Sequence, residues 1–187
     1  MGMATPEPTY YTADMVRALG EADPRRRYEC VHGELLVTPA PRVWHEVVVL
    51  RLVTALSNHL RDDPRWVAFG SLSDLTWGHP DTLVSPDAFV VAREEAVTGS
   101  WDQLRTIPLA AEVLSPSSLR ADRFTKRRLY QERAVGLYWV IDADARTVEV
   151  WTPEAHFPAV ERGALTWRPA PDDAPFVLPL AELFRPI

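Results

Sequence analysis

The sequence predicts a mixed α/β fold, with a central mixed sheet built in the order helix, three strands, helix, strand (αβββαβ), flanked by helices and extended by hairpins at both ends. Three observations predict it. Apolar residues recur at helical spacing over 44–60, apolar runs of strand length fall at 83–91, 109–114 and 137–141, and turn residues separate these segments. At 187 residues with 47% hydrophobic side chains, the chain suits one compact domain. That domain is expected over 12–187, behind a loose tail at 1–11 that contains Pro6 and Pro8.

Thr12 is placed to cap a short helix running to Leu19. Residues 27–31 and 34–38 read as a hairpin around His32-Gly33, with Leu35 and Val37 on one face. After Pro39 and Pro41, a long helix over 44–60 stacks Val48, Leu52, Ala55, Leu56 and His59 on one stripe. Extended segments at 66–69 and 72–77 precede a Gly78-His79-Pro80-Asp81 turn and the strand at 83–91. The run at 109–114 is broken by Ser115-Pro116-Ser117-Ser118, whose serines can cap a helix over 119–134 that Gly136 ends. Strands at 137–141 and 147–152 pair across the turn at 142–145, and the Pro-rich end adds a strand near Phe176 and a last turn at 180–184.

Composition excludes several classes. A single cysteine, Cys30, rules out an internal disulfide and a cysteine-rich zinc site, and with no apolar leader it points to a reducing cytoplasm. No apolar stretch approaches bilayer length. The net charge of −6 argues against a protein that coats nucleic acid through a general basic field. Locally the balance reverses: from Arg120 to Arg133 six basic residues face only Asp122 and Glu132. Such a segment suits a grip on a few phosphates, or else is an ordinary solvated helix face.

Two carboxylates break the apolar pattern. Strand alternation puts Glu112 on the face of Ala110 and Leu114, and Asp87 on the face of Ser85, Phe89 and Val91. A buried unpaired carboxylate costs several kcal/mol, so each needs a cation or several hydrogen bonds, and either one alone could be a structural acid held by backbone amides. Together, on neighbouring strands, they would raise each other's pKa unless a divalent cation sat between them, and oxygen-only ligands favour Mg2+ or Mn2+ over zinc. Glu34 could add a third carboxylate or be a plain hairpin acid.

Lys126 is the only lysine among 20 basic residues. An ammonium is a compact point charge that can orient an attacking water or neutralise a phosphorane-like transition state, although gene composition could also produce the skew. Asp122, Lys126 and Tyr130 recur at i, i+4 and i+8, where Asp122 can steer the ammonium and Tyr130 can offer it a hydroxyl. His45 either points at the same cleft or serves the helix it begins. No zinc-protease pair, nucleophile elbow, Walker loop or dinucleotide glycine pattern is present.

The tract Tyr28-Glu29-Cys30-Val31-His32-Gly33-Glu34-Leu35, with His45, Ser85-Pro86-Asp87, Glu112-Val113-Leu114-Ser115-Pro116-Ser117, Asp122, Lys126, Tyr130 and Tyr138-Trp139-Val140-Ile141-Asp142, resembles the bacterial Uma-type restriction endonucleases of the PD-(D/E)XK superfamily. The resemblance implies an αβββαβ nuclease core in which Asp87 and Glu112 hold magnesium with the Val113 carbonyl nearby, Lys126 is the catalytic amine, and Glu34 is a further ligand or water-positioning group. Two departures stand out. The lysine usual two places after the glutamate is Leu114 here, and His32 stands where many relatives carry aspartate.

The expectation is therefore a Mg2+- or Mn2+-dependent endonuclease acting on DNA, with Arg120, Arg123 and Arg127 touching backbone phosphates. A homodimer formed through the Trp- and Pro-rich carboxy-terminal hairpins is expected with it. The competing readings are a catalytically silent binding or toxin-like module with a nuclease fold, and a phosphodiesterase of small substrates.

Overall fold

The computed structural model describes residues 9–71 and 73–187. Residues 1–8 of the tail expected at 1–11, and Leu72, lie outside the described residues, but Tyr10 and Tyr11 are tied down. The Tyr10 hydroxyl donates to Asp81 (2.7 Å), and the Tyr11 N–H donates to the Gly33 carbonyl (3.0 Å).

Helix α1 (Ala13–Ala22) begins where Thr12 accepts the Met15 N–H, as the capping pattern predicts. Strands β1 (Arg26–Val31) and β2 (Glu34–Pro39) form an antiparallel hairpin of their own. Its two-residue turn takes positive φ at both His32 and Gly33, the geometry that matches strand twist. Helix α2 (Val43–His59) is followed by β3 (Trp66–Gly70), β4 (Ala88–Ala92), the four-residue α3 (Arg93–Ala96) and β5 (Leu109–Val113). A π-helical segment, Ala121–Lys126, runs directly into α4 (Arg127–Glu132). Then come β6 (Leu137–Asp142), β7 (Thr147–Trp151), β8 (Ala159–Glu161), β9 (Ala164–Trp167), β10 (Phe176–Pro179) and α5 (Leu180–Leu183).

Six strands make the central sheet in the order β3-β4-β5-β6-β7-β8, with β5 and β6 parallel and the other pairs antiparallel. β4, β5 and β6 read as near-continuous apolar runs because both faces are covered. On one face Val90, Ala111, Trp139 and Ile141 pack against Val48, Leu52 and Leu56 of α2 and against Phe176 and Leu178 of the carboxy-terminal hairpin. On the other, Phe89, Ala110 and Val140 pack against Leu129 and Tyr130 of α4 and Val31 of the first hairpin. Among the described residues no helix is long and apolar enough to cross a membrane.

Four expectations need correction. The strand expected at 83–91 starts only at Ala88, because Pro86 cannot donate to a ladder, while Leu83 and Val84 make single bridges to Cys30 and Leu75. Residues 73–77 likewise hold one bridge rather than a strand. The carboxy-terminal hairpin, assigned to a dimer interface, buries Trp167, Phe176 and Leu178 in the chain's own core. Finally, the left-handed residue after α4 is Ala134 (φ 52°), not Gly136.

Gly136 is needed for closeness instead, since a Cβ there would stand 2.7 Å from the Pro108 carbonyl oxygen. Gly136→Ala is expected to cost about 1–3 kcal/mol by forcing β5 and β6 apart at their entrance. Equal urea midpoints for the two proteins would show that the backbone gives way freely.

Candidate active site

The site begins with register. Ala88 pairs with Ala111, so Asp87 arrives beside the end of β5, where its Oδ2 accepts the Val113 N–H at 2.8 Å. Glu112 lies on the face shared with Ala110, the one covered by α4, as alternation predicts. The π-helical segment carries Lys126 over that face, and its Nζ reaches Glu112 Oε1 at 3.0 Å. It also lies 2.8 Å from Glu29 Oε2 and 3.5 Å from Asp122 Oδ1. All four of these side chains are almost completely buried. One turn on, Tyr130 donates its hydroxyl to Glu112 Oε1 at 3.0 Å.

Asp87 has its own cations. Arg27 Nη1 donates to Oδ1 at 3.0 Å, and His45 Nε2 lies 3.1 Å from Oδ2. His45 Nδ1 is 3.2 Å from Glu46, so both ring nitrogens face carboxylates and the doubly protonated ring satisfies both. Burial lowers the pKa of His45, but Asp87 and then Glu46 outweigh it and the net shift is upward. Burial pushes the Asp87 carboxyl up, yet His45, Arg27 and the Val113 N–H hold it at about 2.

The second group is strained electrostatically. Four buried carboxylates, Glu29, Asp87, Glu112 and Asp122, meet three cations, Arg27, Lys126 and the His45 ring. Burial drives Glu112 well above the ordinary carboxylate range, with Asp122, Asp87 and Glu29 adding to the rise and Lys126 opposing it. Asp122 is also raised, chiefly by burial. Lys126 itself stays charged, because Glu112, Glu29 and Asp122 outweigh the burial that would neutralise it.

A divalent ion suits this chemistry in three respects. The carboxylates offer oxygen only, Asp122 Oδ1 has no hydrogen bond, and a cavity of about 30 Å³ among Arg27, Glu29, His45, Asp87, Glu112 and Lys126 has room for a water-sized occupant. In its present arrangement the site is closed by its own cations. Among the described residues no three acids or histidines are set to enclose one ion. Arg27 and Lys126 stand where such an ion would take their carboxylates.

The structure brings together Asp87, Glu112, Val113, Lys126, His45, Asp122 and Tyr130. It does not bring Glu34. That side chain is exposed past the turn and lines a separate groove with His32, Arg120 and Arg128. The hairpin's acid in the site is Glu29, which alternation places on the inward face with Arg27 and Val31. The inward pairing of an arginine and a glutamate at i and i+2, beside the apolar Val31, was the available signal for both missed residues.

The arginines expected on phosphate are largely engaged within the chain. Arg123 donates to Glu149 at 2.7 Å and lies 3.5 Å from Asp142. Arg127 covers the Trp151 ring at 4.8 Å and donates to Gln131 at 2.7 Å. Only Arg120 of the three is exposed, in the groove with Glu34.

A crystal structure described as a putative nuclease belonging to DUF820, from Anabaena variabilis, superposes with a TM-score of 0.69 at 22% identity, covering 93% of this chain and 97% of that one. At that identity the likeness speaks for the fold, a mixed sheet between helices. No curated protein matched the chain. The family model Uma2, described as "Putative restriction endonuclease", matches residues 13–176. With nearly the whole fold inside that match, the chain belongs to the Uma2 family of restriction-endonuclease-like proteins.

Proposed function

We propose that the chain is a metal-dependent endonuclease that hydrolyses phosphodiester bonds in DNA. The observation that carries this reading is the surplus of buried carboxylate around one buried primary amine, at the adjoining ends of β4 and β5. Such a surplus is costly to keep unless it serves a cation. Asp87 and Glu112 would hold Mg2+ or Mn2+, with the Val113 carbonyl beside them and with Glu29 in the role first given to Glu34. When bound, the ion would polarise the scissile phosphate and acidify a water. Lys126 would orient a water and offset charge on the phosphoryl oxygens. His45 fixes the Asp87 carboxylate, and Tyr130 and Asp122 fix Glu112 and Lys126.

The chain acts as one domain in a reducing compartment, the cytoplasm. The fully buried Cys30 thiol, pushed up to about 11 chiefly by burial, is suited to persist there unoxidised. Two copies would be needed to present one centre to each strand of a duplex.

Cleavage of plasmid DNA by the purified chain with Mg2+ or Mn2+, and not with EDTA, is the direct test. Equal cleavage with and without metal would exclude the reading. Binding of DNA without cleavage under all metals would favour the silent module, for which the cation-closed acid set is the supporting observation.

The same site predicts a proton count. Because the Glu112 carboxyl is raised, it must lose its proton to ligate an ion, so Mn2+ affinity is expected to climb with pH above the ordinary carboxylate range. Calorimetric titration in buffers of different ionisation enthalpy should register proton release, and a buffer-independent heat would contradict it.

A further inference from the structure

We propose that a DNA strand reaches the site through the groove between the first hairpin and α2, with its phosphates on Arg25 and Arg26, and not along the arginine-rich helix. This rests on the nuclease reading above and adds where the substrate runs.

Two large grooves lie near the site, of about 710 and 720 Å³. The first is continuous with the carboxylate cavity, since Arg27, Pro39 and Pro41 line both. The second, which holds Arg120 and Arg128, shares no wall with that cavity, although its charge is what the sequence makes most visible. None of Asp87, Glu112 and Lys126 lines the second groove.

Charge and shape favour the same choice. Arg25, Arg26 and Arg27 follow one another along one wall of the first groove. Arg25 and Arg26 side chains are 88% and 60% exposed and share a single acid, Asp23, at 3.0 and 3.7 Å. The acids that also line this groove are occupied: Asp74 pairs with Arg17 at 2.8 Å and Glu46 lies 3.2 Å from His45. Guanidinium forks left with donors to spare are matched to phosphate oxygens. The opposite wall is apolar, formed by Val49, Val53 and Leu50, and Leu50 is 68% exposed on α2. A cationic wall facing an apolar one fits a polynucleotide strand, whose charged backbone and flat bases lie on opposite sides. Arg27 stands where the groove meets the cavity, already bonded to Asp87.

Binding of a fluorescently labelled DNA oligonucleotide to the full chain, measured in EDTA so that nothing is cut, tests the path. The double reversal Arg25→Glu/Arg26→Glu is expected to weaken binding at least tenfold and to flatten the dependence of log affinity on log salt by about 1–2 units. The double reversal Arg120→Glu/Arg128→Glu should change affinity by less than about twofold, since those phosphate contacts are absent. The opposite pattern, or no binding by the wild-type chain, overturns the proposed path. Failure of the nuclease reading looks different: DNA held through Arg25 and Arg26 that no metal causes to be cut.

Discussion

Replacing Lys126 by alanine is expected to lower stability by about 3–5 kcal/mol at neutral pH and to abolish cleavage. The nitrogen lies within 3.5 Å of three buried acids, so its removal leaves Glu29, Glu112 and Asp122 without their shared counter-charge. In a domain of this size the loss corresponds to a fall in Tm of roughly 6–20 °C. The pH dependence separates charge from packing. Glu112 and Asp122 already have raised pKa values in the folded chain, and losing Lys126, which lowers both, raises them further. A group raised on folding contributes stability below its unfolded pKa of about 4 and loses it as pH climbs through the folded value. The deficit of Lys126→Ala should therefore be largest at neutral pH and shrink towards pH about 4. Urea unfolding at the two ends of that window is the measurement, and an equal deficit at both would mean that lost packing explains it. Lys126→Met, which keeps the bulk, should follow the same curve.

The second large effect is expected at Asp87. Asp87→Asn should reduce metal-dependent cleavage at least about a hundredfold, because the amide keeps the acceptor for the Val113 N–H but loses the charge that an ion needs. Its stability signature runs opposite to that of Lys126. The carboxyl is held at about 2, so its contribution, on the order of 2 kcal/mol, is present above the unfolded pKa and disappears as pH falls through the folded one. The two proteins should thus differ at pH 5 and converge near pH 2. His45 supplies an independent reading, since its pKa is held up first by the bond to Asp87. Its imidazole resonances should titrate at lower pH in the variant. Wild-type cleavage with an unmoved His45 titration would remove Asp87 from the centre.

How much of this was legible follows from what kind of signal each residue leaves. Asp87 and Glu112 stood out because an acid in an apolar strand-like run violates a period of two, although Asp87 proves to sit just before β4, beside the end of β5. Lys126 stood out by rarity, and the stripe with Asp122 and Tyr130 survived the shift from α to π winding. The hairpin turn was readable, but which of its acids faced inward depended on how the whole hairpin docks on the sheet, and that packing chose Glu29 over Glu34. The arginines of the segment from Arg120 to Arg133 misled for a related reason. Charge density is visible in sequence, whereas Glu149 and Trp151, which engage Arg123 and Arg127, lie on β7, more than twenty residues away. At three and four residues, β8 and β9 are too short to show a period of two, and they form because β7 and β10 supply the edges.

The centre draws on Glu29, Asp87, Glu112 and the segment from Asp122 to Lys126, four stretches separated by up to almost a hundred residues of chain. No nascent chain that ends before Lys126 holds all four stretches, and β6, which pairs with β5 to complete the floor, is made only after them. The buried charge cluster therefore assembles late in synthesis, once strands made far apart in time can pack against one another.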